Sequence, residues 1–292
     1  MAGPIHIVLT FDDKFWAPAY ATMRSVCMTT HRRRDLVFHL CHVGLSAAHR
    51  GELEAITTEY GATLKDYDLG QTDHLTGRSA QLPAMTAERY HVIVYARLFL
   101  ADILPSDIDR VVFLDCDLFV RTAIEQLAEM DLQGNVIAAV LEPRRHGFQT
   151  YREMRPKRYF DTADPYFNAG VMLIDFQKWR EIDFMAELEA RLTPEEIKGL
   201  FQDQDILNVV MKDRWLVLDY RWNFQDAVVE HEPLDPLIAH YTGPRKPWLY
   251  TGRAAYKRLY RHIMTNRIFF MYLRERMRLR WVSRLRRLIG RK

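Results

Sequence analysis

Short apolar runs alternate with helical spacings through the first half of the chain. Ile5–Phe11 (IHIVLTF), Leu36–Val43 and Ala62–Leu69 read as strands. Between them, Trp16–Thr30 and Ser46–Tyr60 repeat their apolar residues at helical spacing. Strand–helix alternation of this kind predicts an α/β fold with a mostly parallel sheet and helices on its faces. Thr86–Leu104 reads as helix, and Val111–Leu114 as a short buried strand. Val136–Leu141 and Ala169–Ile174 are further strands, and Asp175–Leu192 reads as one helix. Thr193-Pro194-Glu195-Glu196 is a capping box with proline at the first helical position, so a new short helix starts there. Ile206, Leu207, Val209 and Val210 give the next helix its apolar face. From Arg221 to Tyr250, Pro, Trp and Asp predict loops, with one strand near Leu237–Tyr241.

The pattern changes at the C-terminus. Met277, Trp281, Leu285 and Leu288 recur at helical spacing, Val282 and Ile289 widen the stripe, and arginines fill the rest. This predicts a basic amphipathic helix. Residues 253–292 hold fourteen Lys or Arg against a single acid, Glu275; the remainder holds 27 bases against 37 acids. An acidic body with so basic a tail points to an anionic partner for the tail. An anionic membrane surface fits best. Nucleic acid is not expected, because the tail has no recognisable nucleic-acid motif and the body is acidic. The expected division is a catalytic domain over 1–252 and a helical basic tail over 253–292.

Composition adds limits. With 48% hydrophobic and 12% aromatic residues, the 292-residue chain can build an ordinary packed core. Cys27, Cys41 and Cys116 are too few and scattered for a disulfide framework or a structural zinc site, which suits a reducing compartment. No signal peptide or membrane span is read, so the expected location is cytoplasmic, peripheral on the inner face of a membrane.

The strongest chemical signal is Val111–Asp117 (VVFLDCD). Two acids follow a buried strand at its C-terminal end, where parallel sheets bind ligands. On extended backbone Asp115 and Asp117 face one side, and Cys116 points away into packing. Two carboxylates so placed suit a hard divalent cation, Mg²⁺ or Mn²⁺. Phosphatases of the haloacid dehalogenase type also end a strand in Asp-x-Asp. They usually carry it near the N-terminus, with Thr or Val where this chain has Phe119. A second signal is His240–Trp248 (HYTGPRKPW), in which a histidine ends an apolar strand and Lys246 follows a glycine turn. Histidine suits a metal and lysine a phosphate. Arg97, within an otherwise apolar stretch, needs an anionic partner if buried.

These pieces together resemble glycosyltransferase family 8, the retaining galactosyl- and glucosyltransferases of bacterial lipopolysaccharide. The resemblance runs over Ile7–Asp13 (IVLTFDD), Tyr95–Leu98 (YARL), Phe113–Asp117 (FLDCD), Phe167–Ile174 (FNAGVMLI), Gln202–Asn208 (QDQDILN) and His240–Trp248, most of the chain and in that order. It implies a GT-A, Rossmann-like nucleotide-sugar fold. It also implies a UDP-galactose or UDP-glucose donor, a glycan or glycolipid acceptor such as lipopolysaccharide core, and Mn²⁺ held by Asp115, Asp117 and His240. By the same resemblance Thr10, Asp12 and Phe15 receive the uridine, and Gly243 and Lys246 hold the diphosphate. Arg97, Asn168, Ala169 and Gly170 line the donor sugar, and Cys116 counts among the donor-contacting positions through its place between the acids. Where the family commonly has Asn and Tyr, this chain has Lys14 and Phe15, keeping a stacking face and losing a hydroxyl. Asp203 would bind sugar hydroxyls. Gln204 would stand at the reacting carbon and, lacking a nucleophile's charge, implies a front-face route in which the departing UDP helps deprotonate the acceptor; Asp205 is the other candidate. A non-catalytic glycan-binding relative would share much of this set.

Overall fold

The computed structural model describes residues 3–71, 92–142, 157–161, 164–200, 202–250 and 252–289. The opening alternation holds. Ile5–Asp12 (β1) leads through Trp16–Thr29 (α1) to Leu36–Val43 (β2), and Ala47–Tyr60 (α2) leads to Thr63–Asp68 (β3). The Ser46 hydroxyl caps α2 by accepting from His49 N, and Gly61 ends it at φ 71°, the left-handed conformation glycine tolerates.

Arg110–Leu114 (β4), Ile137–Leu141 (β6), Phe167–Asp175 (β7) and Trp215–Val217 (β8) extend the sheet. Among the described residues it has seven strands in the order β3-β2-β1-β4-β7-β6-β8. Pairing is parallel from β3 to β4 and between β6 and β8, while β7 runs antiparallel to both β4 and β6. The reversal brings the start of β7 beside the end of β4, with Val171 opposite Leu114. A second sheet of three short strands, Leu118–Val120 (β5), Ile238–His240 (β10) and Phe224–Gln225 (β9), carries His240 to the same edge.

Three readings are corrected in detail. The segment expected as one helix over Asp175–Leu192 is two, Phe176–Arg180 (α3) and Phe184–Arg191 (α4), because Asp183 caps the second with bonds from Met185 N and Ala186 N. Of Thr86–Leu104, residues 86–91 lie outside the described residues; Val92–Phe99 is a 3-10 helix and Leu100–Ile103 one α-turn. The 221–250 region holds β9 as well as β10. The capping box forms as read, Thr193 and Glu196 bonding each other's backbone to start Pro194–Lys198 (α5), and Gln202–Val210 (α6) follows.

Lys257–Met264 (α7) and Asn266–Ile289 (α8) end the described chain. Tyr260, Ile263, Met264, Ile268, Phe269 and Tyr272 join the core that α1 shares with one face of the sheet. Beyond Glu275 the described side chains of α8 turn to solvent, Met277, Leu279, Trp281 and Val282 among them. The side chains of Leu285, Leu288 and Ile289 lie outside the described residues. No helix among the described residues is long and apolar enough to cross a membrane.

Candidate active site

Asp115 and Asp117 follow the end of β4, where the chain bends before β5. His240 closes β10, paired with Leu118 next to Asp117. The two segments, over 120 residues apart in sequence, thereby meet. Asp115, Asp117 and His240 each offer one ligand atom within 4.8 Å of the others. His240 Nε2 lies 3.2 Å from Asp117 Oδ1 and 3.5 Å from Asp115 Oδ2. Two carboxylates and an imidazole so grouped are a fitting donor set for a divalent cation.

The imidazole's tautomer follows from its neighbours. Gly170 N, a fixed donor, bonds Asn168 Oδ1 at 2.9 Å, and Asn168 Nδ2 donates to Glu142 at 2.7 Å. Asn223 Nδ2 donates to the same Asn168 oxygen at 2.8 Å, so its own Oδ1 faces His240 Nδ1, also at 2.8 Å. Nδ1 must carry a proton, and Nε2 is therefore the nitrogen that faces the two acids and could ligate a cation between them.

Two cations face the acids. Lys246 Nζ stands 2.6 Å from Asp117 Oδ2 and also bonds the Tyr241 carbonyl. Burial pushes the Asp117 carboxyl up, but His240 and Lys246 outweigh it and hold it well below the usual carboxylate range. Arg97 is buried, as its surroundings required, and touches three groups. Nε lies 2.6 Å from Asp203 Oδ2, one terminal nitrogen lies 3.0 Å from Asp115 Oδ1, and the other donates to the Ala169 carbonyl at 2.8 Å. Burial works against its charge; Asp203 and Asp115 more than restore it, so its pKa rises.

Gly170 is a steric necessity. A Cβ there would run into the His240 ring and lie 2.6 Å from Asp115 Oδ2. Gly243 is confined likewise, against Asp226, whose other carboxylate oxygen pairs with Arg245 at 2.5 Å.

On α6, Gln204 Oε1 accepts from Ala169 N at 3.0 Å and is partly exposed. Asp205 is fully buried and accepts from Tyr166 Oη at 2.6 Å. At the far side of β4, Asp12 caps the Asp13–Phe15 turn through Lys14 N, and Phe15 is 42% exposed, edge-on to Trp248 at 6.5 Å. Cys116 packs away from its flanking acids with Sγ 3.7 Å from the Thr10 carbonyl, and burial pushes its thiol well up. The site residues read from sequence therefore gather along one edge of the sheet. Asn223, Glu142 and Tyr166, which hold several of them, had no motif to reveal them.

An α/β sheet that ends in an acid–acid–histidine cluster, with a lysine above and small residues beside it, offers a place for a divalent cation and an anionic group together. The family model for glycosyl transferase family 8 matches residues 6–252. The chain is 24% identical over 281 residues to general stress protein A of Bacillus subtilis, covering 89% of this chain and 93% of that one. To the lipopolysaccharide 1,3-galactosyltransferase of Salmonella typhimurium it is 25% identical over 262 residues, 85% of this chain and 74% of that one. The solved structure of the galactosyltransferase LgtC, in complex with donor and acceptor sugar analogues, superposes with a TM-score of 0.70 at 27% identity, over 89% and 95% of the two chains. The chain belongs to glycosyltransferase family 8. It has the GT-A-like fold of its structural neighbours, and the phosphatase reading is not favoured.

Proposed function

We propose that this glycosyltransferase moves galactose or glucose from its UDP-sugar to a glycan or glycolipid hydroxyl, with retention, and that lipopolysaccharide core is the acceptor. The observation that carries the reading is the convergence of Asp115, Asp117 and His240 beneath Lys246, with Gly170 leaving the space open. Mn²⁺, with Mg²⁺ as the substitute, is the expected ion. When bound, it supplies Lewis-acid neutralisation of the diphosphate leaving group.

The chain's own residues do the rest. Lys246 swings from Asp117 to a phosphate oxygen, a short move for a flexible ammonium. The Gly243 backbone lies beside it. Asp12 accepts from the base or ribose, Phe15 offers a stacking face, and Thr10 lines the strand end beside Cys116. Asp203, oriented by Arg97, receives sugar hydroxyls, and the Asn168–Gly170 strand start lies against the ring. The bond from the anomeric carbon to the phosphate oxygen breaks with its electron pair going to UDP. The acceptor oxygen bonds the same face, and its proton passes to the departing phosphate. We assign this event to Gln204, which is partly exposed, over Asp205, which is sealed against Tyr166.

The exposed stretch of α8, with Met277, Trp281 and Val282 among Arg274, Arg278, Arg280 and Arg284, is proposed to lie on the anionic inner face of a membrane. Trp281→Glu should release the protein from phosphatidylglycerol vesicles; undiminished binding would count against the docking.

Donor choice is tested by incubating purified protein with a panel of UDP-sugars, with Mn²⁺, Mg²⁺ or EDTA, and following UDP release with and without lipopolysaccharide-core acceptor. Metal-dependent release from UDP-galactose or UDP-glucose that rises with acceptor is expected, as is its loss in Asp117→Asn. No turnover of either donor in any metal would sink the reading.

A further inference from the structure

Glu275 is the one acid among residues 253–292, and it points off α8 into the catalytic body. One carboxylate oxygen accepts from Trp16 Nε1 at 3.0 Å; the other lies 3.0 Å from His49 Nε2. The remaining His49 nitrogen, Nδ1, lies 2.7 Å from Asp13 Oδ1, and that oxygen also accepts from Ser46 N at 2.9 Å. His49 stacks on the Trp16 indole, centroids 4.3 Å apart and planes 11° from parallel. One turn earlier on α8, Tyr272 Oη donates to the Lys14 carbonyl at 3.1 Å.

All of these contacts end on Asp13, Lys14 and Trp16. Those residues flank Asp12 and Phe15, the pair assigned above to the uridine. The turn itself is a three-residue 3-10 segment, capped by the Asp12 side chain accepting from Lys14 N. So short a turn has little of its own to fix it. We infer that α8 is part of the nucleotide pocket's framework, with Glu275 as a positioning residue that sets the Asp12–Phe15 turn through Trp16, His49 and Asp13. A turn held before the ligand arrives avoids the ordering cost of binding. The C-terminal helix thus has two successive roles along its length. Its first turns preset the donor site, and the stretch past Glu275 faces outward.

The inference rests on the assignment of the Asp12–Phe15 turn to the base. It is tested in the full-length protein with Glu275→Gln, which removes the charge, and Trp16→Phe, which keeps a ring against His49 and loses the N–H. UDP affinity in Mn²⁺ is measured by calorimetry, steady-state kinetics are measured with the donor, and melting temperature is measured alongside. Weaker UDP binding by about fivefold or more, a matching rise in KM for the donor and a kcat near wild type are expected, since the turn meets the base and not the reacting bond. A role confined to stability would lower the melting temperature and leave KM alone, and that result would overturn the inference. If wild type binds UDP and both variants bind it equally well, Glu275 loses its role while the uridine assignment stands. If wild type binds no UDP, both fall together.

Discussion

A methyl group at Gly170 would strike the His240 ring and crowd an Asp115 carboxylate oxygen at 2.6 Å. Neither neighbour can yield, because His240 is tied to Asn223 and Asp115 to Arg97. Gly170→Ala should therefore cost about 100-fold in turnover and a similar loss in Mn²⁺ affinity, read by metal titration, with the fold intact by circular dichroism. Metal binding as tight as wild type would show that the space is not needed. The acids, the histidine and Arg97 could be picked out of the sequence because carboxylate pairs after a strand and a lone charge in an apolar run are unusual in themselves. Asn223, Glu142 and Tyr166 could not. They are ordinary polar residues whose partners lie 55, 26 and 39 positions away, and only the folded chain creates their roles.

Strands β1, β2 and β3 lie side by side and carry a row of rings, His6, His39 and Tyr67. His39 Nε2 is 2.9 Å from His6 Nδ1, and its Nδ1 is 3.1 Å from Tyr67 Oη. Burial, with His6 and Lys65 adding to it, pushes His39 down to about 4. In the unfolded chain the same group titrates near 6.5. Below that pH the unfolded state binds the extra proton, so this contribution to stability is intact above about pH 6.5 and lost as pH falls toward 4. The loss should reach up to about 3 kcal/mol. Urea melts across that range should give a shallower slope for His39→Gln than for wild type; parallel slopes would refute it. Periodicity found β1 and β2 because each is a near-continuous apolar run. It missed β5, β8 and β9, two or three residues long, too short to hold a period. It also ran α3 and α4 together, since the apolar spacing continues across the break and only the Asp183 cap divides them.

Taken whole, the molecule should not depend on the proposed cation for its fold. Lys246 and Arg97 already pair with the acids, so chelation should leave the protein folded. On the proposed function, Mn²⁺ with UDP binds the folded chain and should raise its melting temperature. At a hundredfold excess over the dissociation constant the gain is about 2.7 kcal/mol, a shift of several degrees that EDTA reverses. Melting curves indifferent to the pair would contradict the proposed function. The antiparallel step between β4 and β7 has one more consequence. It seats the outgoing end of one strand and the incoming end of the other on a common ledge, with Asp115 N bonded to the Gly170 carbonyl at 2.8 Å. The intervening chain leaves from that ledge and returns to it. The main chain itself thus fixes how far Asp115 stands from Gly170, whatever side chains are exchanged around them.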